Sequence, residues 1–155
     1  MSAVLSVARA TLDQADIVAL LGRHFELMRS SSPAESCHVM EPGALLEREA
    51  VLYAARDGQT LLGVGALTLI GPQHGELKSM HTAAEARGRG VARAILQALM
   101  DHARDHGVTR LSLETGTADL FAPARALYAA HGFATCPPFG NYTVDPLSVF
   151  MTRTL

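Results

Sequence analysis

The chain has 155 residues, 48% of them hydrophobic and 18% charged, which is enough for one domain with a proper core and too little for two of ordinary size. A formal net charge of -2 and the lack of any lysine-arginine run exclude a general attraction for nucleic acid. Cys37 and Cys136 have no paired spacing and the histidines follow no metal-ligand pattern, so a reduced cytoplasmic setting without a metal is expected.

In chain order, residues 4–8 predict a first strand. Thr11-Leu12-Asp13-Gln14 supplies a capping-box start for a helix. Ile17, Leu20, Leu21, His24, Leu27 and Met28 mark its buried face. Residues 30–43, with three successive serines and Pro33 and Pro42, predict a long loop before a short helix at 44–48. Long ordered loops in compact domains often carry function. Asp57-Gly58 between residues 50–56 and 60–70 is a hairpin signal. The apolar run at 61–70 is about half of the roughly 20 residues that cross a bilayer, so no membrane span is expected. Residues 1–10 also lack the basic-then-apolar order of a secretory signal.

After the Gly71-Pro72 break a strand begins near Gly75. Glu76-Leu77-Lys78-Ser79-Met80-His81 alternates with the period of two expected of a strand with one wetter face. Arg87-Gly88-Arg89-Gly90-Val91-Ala92 joins this strand to an amphipathic helix. Val91, Ala92, Ile95, Leu96, Leu99 and Ala103 form its apolar face, and His106-Gly107 its C-cap. Residues 109–115 set Leu111 and Leu113 against Arg110, Ser112 and Glu114, the pattern of a half-buried strand. A helix at 123–131 carries Pro123 in its first turn, where the missing N–H costs nothing. A short strand at 133–136, the loop Pro137-Pro138-Phe139-Gly140-Asn141-Tyr142 and a last strand at 148–153 complete an α/β domain with a mixed sheet.

A glycine-rich turn opening a helix aims unpaired backbone N–H groups and the positive end of the helix dipole at one point, where an anion fits. A P-loop would place Lys-Ser or Lys-Thr after the last glycine, where Val91-Ala92 stands. A dinucleotide fingerprint would need a third small residue at its own offset. The spacing of Arg87, Gly90 and Ala92 instead resembles the acetyl-CoA loop of the GNAT superfamily of N-acetyltransferases. About forty residues on, Ala124-Arg125-Ala126-Leu127-Tyr128-Ala129-Ala130-His131-Gly132-Phe133 is similar to that family's last helix and following strand, with its Leu-Tyr pair and Gly-Phe. Thr82 and Ala84 depart from the family's commoner Val and Pro, and Phe121 stands where an asparagine often contacts the pantetheine arm.

The resemblance implies one GNAT-like domain over residues 1–155, with a mixed, mostly antiparallel central sheet flanked by helices and a splay between the fourth and fifth strands. It implies acetyl-CoA as co-substrate, docked by Arg87, Gly88, Arg89, Gly90, Val91 and Ala92 and by the main chain of Met80, His81 and Thr82. Tyr128 falls on the family's general acid. Glu76 falls on the catalytic glutamate of some members, with pairing to Lys78 as its plainer alternative and Glu114 as a second candidate base. His38, Lys78, Glu114, Asn141 and Tyr142 are the polar groups expected around the acceptor. The leading expectation is acetyl transfer to the primary amine of a small molecule, amino-acid-like if both carboxylates and Lys78 share a pocket. Protein N-terminal or lysine acetylation, and a non-catalytic acyl-CoA sensor, are the alternatives. Neither nucleic acid nor membrane is an expected partner, and a homodimer is compatible with the sequence.

Overall fold

A computed structural model describes residues 5–31 and 38–155. The predicted succession holds: β1 (Ser6–Ala10), α1 (Ala15–Ser31), α2 (Pro42–Glu47), β2 (Val51–Asp57), β3 (Thr60–Gly71), β4 (His74–Thr82), α3 (Val91–Asp105), β5 (Arg110–Gly116), α4 (Ala122–Ala130), β6 (Ala134–Thr135) and β7 (Ser148–Thr154). One sheet takes the strands in the order β1-β2-β3-β4-β5-β7-β6. Every pairing is antiparallel except β4 with β5, whose connection runs through α3.

Local chemistry explains where boundaries moved. Val4, in the predicted first strand, and Cys37, in the predicted loop, lie outside the described residues. Thr11 N donates to Gln14 Oε1 at 2.9 Å, one half of a capping box, and α1 itself starts at Ala15. The serines expected to break this helix finish it instead. Ser30 Oγ and Ser31 Oγ donate to the Leu27 carbonyl at 3.0 and 2.6 Å, closing the last turn. α2 begins earlier than predicted because Pro42 serves as a first-turn residue. The Asp57-Gly58 hairpin forms as expected, with Asp57 paired to Thr60 and Gly58 at φ 59°.

Two features of the central strands position everything that follows. The first is a bulge. Ala66 pairs with Lys78 and Val64 with His81, so Ser79 and Met80 together oppose Gly65, and Ser79 takes φ 56°. Residues paired directly across a sheet share a face, so Glu76, Lys78 and His81 lie on one face with Thr68, Ala66 and Val64. His24 of α1 meets His81 there, with the two Nδ1 atoms 3.1 Å apart. By the same pairing, Ser112, Glu114 and Ser148 share this face, through Glu76 with Ser112 and Gly116 with Ser148.

The second feature is the opposite face, where α3 sits directly on glycines. A Cβ at Gly63 would lie 2.6 Å from Val91 Cγ1, 3.0 Å from the His81 carbonyl and 3.1 Å from Ile95 Cδ1. A Cβ at Gly65 would strike Met80 Sδ and lie 2.8 Å from Ile95 Cγ2. Val91, Ile95, Leu96 and Leu99 are all buried. Because Val91 opens α3, the missing side chain at Gly63 sets how closely the start of that helix approaches the sheet. Gly63→Ala is therefore expected to lower stability by about 1–3 kcal/mol, the usual cost of overpacking, and to weaken acetyl-CoA binding more than Gly43→Ala, where a Cβ meets nothing within 4 Å. Equal coenzyme affinity of the two variants by calorimetry would disconnect the glycine contact from the loop.

Candidate active site

Between β4 and β5 the last paired residues are Leu77 and Leu113. β4 runs on to Thr82 against β3, and β5 runs on to Gly116 against β7, so the two strands part. A cleft of about 770 Å³ opens in the gap, reached by Met80, His81 and Thr82 on one side and Glu114 on the other. The β4 edge beyond Leu77 has no strand beside it on the β5 side, which leaves main-chain groups for an extended ligand to pair with.

One end of the cleft is the loop before α3. Gly88 and Gly90 adopt φ 80° and 78°, the left-handed region that a Cβ disfavours. Gly90 is the N-cap of α3, no side chain caps the helix, and its first turn holds no acidic residue. A Cβ at either glycine would meet nothing within 4 Å, so these backbones face open space. Free first-turn N–H groups, the positive dipole end and the adjoining Arg87 fit a pyrophosphate. Arg89 is partly engaged, with Nη2 3.4 Å from Asp57 Oδ2 on the exposed surface.

Tyr128 lines the same cleft from α4 and is 6% exposed. Its ring meets Phe133 edge to face at 5.9 Å, and Phe133 N donates to the Tyr128 carbonyl, so the Gly-Phe turn holds the tyrosine. Arg125, one turn earlier, ties the start of α4 to β5 by donating from Nη1 to the carbonyls of Gly116 at 2.6 Å and Ala118 at 3.0 Å. Burial pushes the Tyr128 phenol well above its ordinary value of 10. Phe121 lines the wall beside it, packed over Gly116, where a Cβ would collide with its ring.

Where β4 and β5 part, two polar clusters meet. In the first, Tyr142 Oη donates to Glu76 Oε2 at 2.5 Å and accepts from Lys78 Nζ at 2.9 Å, while Lys78 Nζ lies 3.2 Å from the same Glu76 oxygen. The Lys78 and Glu76 side chains are 8% and 6% exposed, so this is a buried ion pair stabilised by a third polar group. Burial, and then the Glu76 charge, push the Tyr142 phenol upward, which keeps it a donor. In the second cluster, Glu114 Oε2 accepts from His38 Nδ1 and from Ser148 Oγ, the latter at 2.7 Å. The His38 and Tyr142 rings join the clusters edge to face at 5.1 Å.

Of the polar groups expected around the acceptor, His38, Lys78, Glu114 and Tyr142 come together. Asn141 does not line the cleft; it is exposed in an adjoining depression whose walls also include His38, Glu76, Lys78 and Tyr142. The face on which Glu76 lies, expected to be the wetter one, buries this carboxylate to 4% exposure, because Tyr142 lies over it. Ser148 carries no motif and was not foreseen in the site. His24 was foreseen only as a core residue, yet it reaches the cleft beside His81. Burial, with His81 and Lys78 adding repulsion, holds His24 down to about 4, and burial lowers His81 as well. Among the described residues, Thr68 Oγ1 and Ser79 Oγ are buried without a partner, and Ser79 lines the cleft.

Also among the described residues, no group of three or more His, Cys, Asp or Glu side chains is arranged to hold a metal, and no helix is long and apolar enough to cross a membrane. The sequence profile of the acetyltransferase (GNAT) family matches residues 17–133. The Bacillus subtilis protein named uncharacterized N-acetyltransferase YsnE is 43% identical over 139 residues, covering 90% of this chain and 92% of its own. The IAA acetyltransferase of Azospirillum brasilense is 35% identical over 152 residues, covering 97% and 98%. The solved structure of a proposed acyl-CoA N-acyltransferase from Klebsiella pneumoniae superposes with a TM-score of 0.79 at 28% identity, covering 99% of both chains. Together with the cradle before α3 and the parted strands, these matches place the chain in the GNAT family, as an acetyl-CoA-dependent N-acetyltransferase.

Proposed function

We propose that the protein moves an acetyl group from acetyl-CoA to the primary amine of a small molecule, amino-acid-like in size, by direct attack in a cytoplasmic setting. The observation that carries this reading is the closure of the acceptor end. Phe139, Tyr142 and Phe150 pack on one another at ring distances of 5.2, 5.8 and 5.5 Å. Beneath them, Tyr142 closes over Glu76 and Lys78. A peptide acceptor would want an open groove at this end, whereas an amine carrying few other atoms fits beside two carboxylates that attract its ammonium.

Under this reading the roles implied by the family resemblance fall to Glu76 as base and Tyr128 as acid. Tyr128 has the stronger support, since it is buried, lines the cleft and has no side-chain partner committed elsewhere among the hydrogen bonds of the described residues. Glu76 faces the same cleft, but two donors already share its Oε2. Glu114, across the gap, is the rival carboxylate.

A thiol-release assay with acetyl-CoA and a panel of amino acids, small amines and short peptides tests the reaction. Turnover is expected with the compact amines. Turnover with peptides alone would contradict the small-molecule reading.

Removing the Tyr128 hydroxyl should leave coenzyme affinity nearly intact and lower kcat by about tenfold to a thousandfold, near the usual worth of acid catalysis. The sign of the shift adds a second expectation. A phenol whose value is raised above 10 remains protonated at every lower pH, so no alkaline limb below pH 10 belongs to Tyr128. Wild-type kcat in Tyr128→Phe would return this residue to the core, and an alkaline limb that vanishes in the variant would contradict the burial argument.

A further inference from the structure

The geometry points to His38, oriented by Glu114, as the group that takes the proton from the attacking amine, with Glu76 left to bind the acceptor. This assignment rests on the acetyl-transfer reading above, but replaces Glu76, the base that the family resemblance implies, with a catalytic imidazole and a positioning carboxylate.

Glu114 is the first residue of β5 beyond its last pair with β4, so its side chain stands where the strands part. Its Oε2 accepts from His38 Nδ1 and Ser148 Oγ. An ionised carboxylate can only accept, so the proton of the neutral imidazole is fixed on Nδ1 and the lone pair on Nε2. The edge-to-face contact with Tyr142 adds a second constraint on the ring. His38 and Glu114 both line the cleft that holds Tyr128. A base held by a third group, facing the cleft where the reacting carbon arrives, is the arrangement proton removal needs.

The other basic candidates in the cleft are already committed. Glu76 is shared by the Lys78 ammonium and the Tyr142 hydroxyl. His24 and His81 face each other through their Nδ1 atoms, and burial disfavours charge on both. The charged and titratable groups that share the cleft walls with His38 are Glu76, Lys78 and His81 from β4, Glu114 from β5, His24 from α1, Tyr128 from α4, and Arg87 and Arg93 around the start of α3, while Tyr142 and Arg48 share an adjoining depression with it.

The step balances as follows. The amine nitrogen attacks the thioester carbon, the carbon–nitrogen bond forms, and the carbonyl electron pair moves onto oxygen. His38 Nε2 takes one proton from that nitrogen. The oxygen's electron pair then re-forms the carbonyl as the carbon–sulfur bond breaks, that bond's electron pair leaves on sulfur, and the thiolate takes a proton from Tyr128. His38 gives its proton to solvent and Tyr128 recovers one, so amine and acetyl-CoA become amide and CoA thiol.

The test uses an amine that the wild-type protein acetylates, so a wild type without thiol release would fail the acetyl-transfer reading separately from this one. The pH profile of kcat/KM is measured for wild type, His38→Gln, Glu114→Gln and Glu76→Gln, with acetyl-CoA affinity by calorimetry as the check on folding. The wild type is expected to lose activity on the acidic side. His38→Gln should lose that limb and about a hundredfold in kcat, within the usual range for a general base. Glu114→Gln should keep the limb, because the imidazole is still present, with about a tenfold loss in kcat from the lost orientation of the ring. Glu76→Gln should keep the limb and raise the KM for the amine. Added imidazole should restore part of the activity of His38→Ala. The assignment is overturned if the limb survives in His38→Gln, vanishes in Glu76→Gln, or is missing from the wild type.

Discussion

The parting of β4 from β5 is the constraint on which the rest of the structure depends. Two strands that pair from His74 with Arg110 to Leu77 with Leu113 would ordinarily continue, since each unpaired buried backbone group costs about 1–3 kcal/mol. They cannot continue here. β4 bulges at Ser79 to follow β3, while β5 stays in register with β7 through Gly116. The unmet backbone groups of β4 then face a cleft instead of a neighbour, and an extended amide-bearing ligand such as a pantetheine arm can satisfy them. The fold leaves open the part of the sheet that the coenzyme would complete.

The sheet divides the chemistry between its two faces. On one, Gly63 and Gly65 let α3 settle against the strands, which brings the uncapped start of that helix to the mouth of the cleft. On the other, the register collects Glu76, Lys78, His81, Glu114 and Ser148, and the residues before β7 fold over them. The loop before α3 contributes backbone N–H groups and positive charge to the cleft, and the parted strands contribute Glu76 and Glu114. Under the proposed reading the first would suit an anionic coenzyme and the second a cationic amine.

How much of this was legible in the sequence depended on how local each signal was. The order of elements was legible because periodicity, Asp57-Gly58, Gly107 and Pro123 are local signals. The glycine turn before α3 was legible as a candidate coenzyme loop only because the Arg87, Gly90 and Ala92 spacing, joined to the Leu-Tyr and Gly-Phe pairs further on, resembles a family pattern; the glycines alone are a weak signal. The limit of α1 was misplaced because Ser30 and Ser31 can either break a helix or bond back to Leu27, and only the folded chain decides. Simple alternation placed His81 opposite Glu76 and Lys78, and the bulge at Ser79 reversed it. The Glu76–Lys78 pair was visible as two residues on one strand face, but Tyr142 joins it from 66 positions away. Ser148 reaches Glu114 across 34 positions and His38 across 76, contacts for which no periodicity exists.

The central claim is that backbone groups at the start of α3 hold the coenzyme, and Gly90 is where this can be tested with the least disturbance of packing. Its φ is 78°, and a Cβ there meets no protein atom within 4 Å. The backbone strain of a non-glycine residue is about 1–2 kcal/mol, and a carboxylate would compete with the pyrophosphate for the same N–H groups. Calorimetric titration of acetyl-CoA into the wild type and into Gly90→Glu, with folding checked by circular dichroism, is the most direct measurement. The expected result is a folded variant with no measurable coenzyme binding, and an affinity equal to that of the wild type would contradict the account.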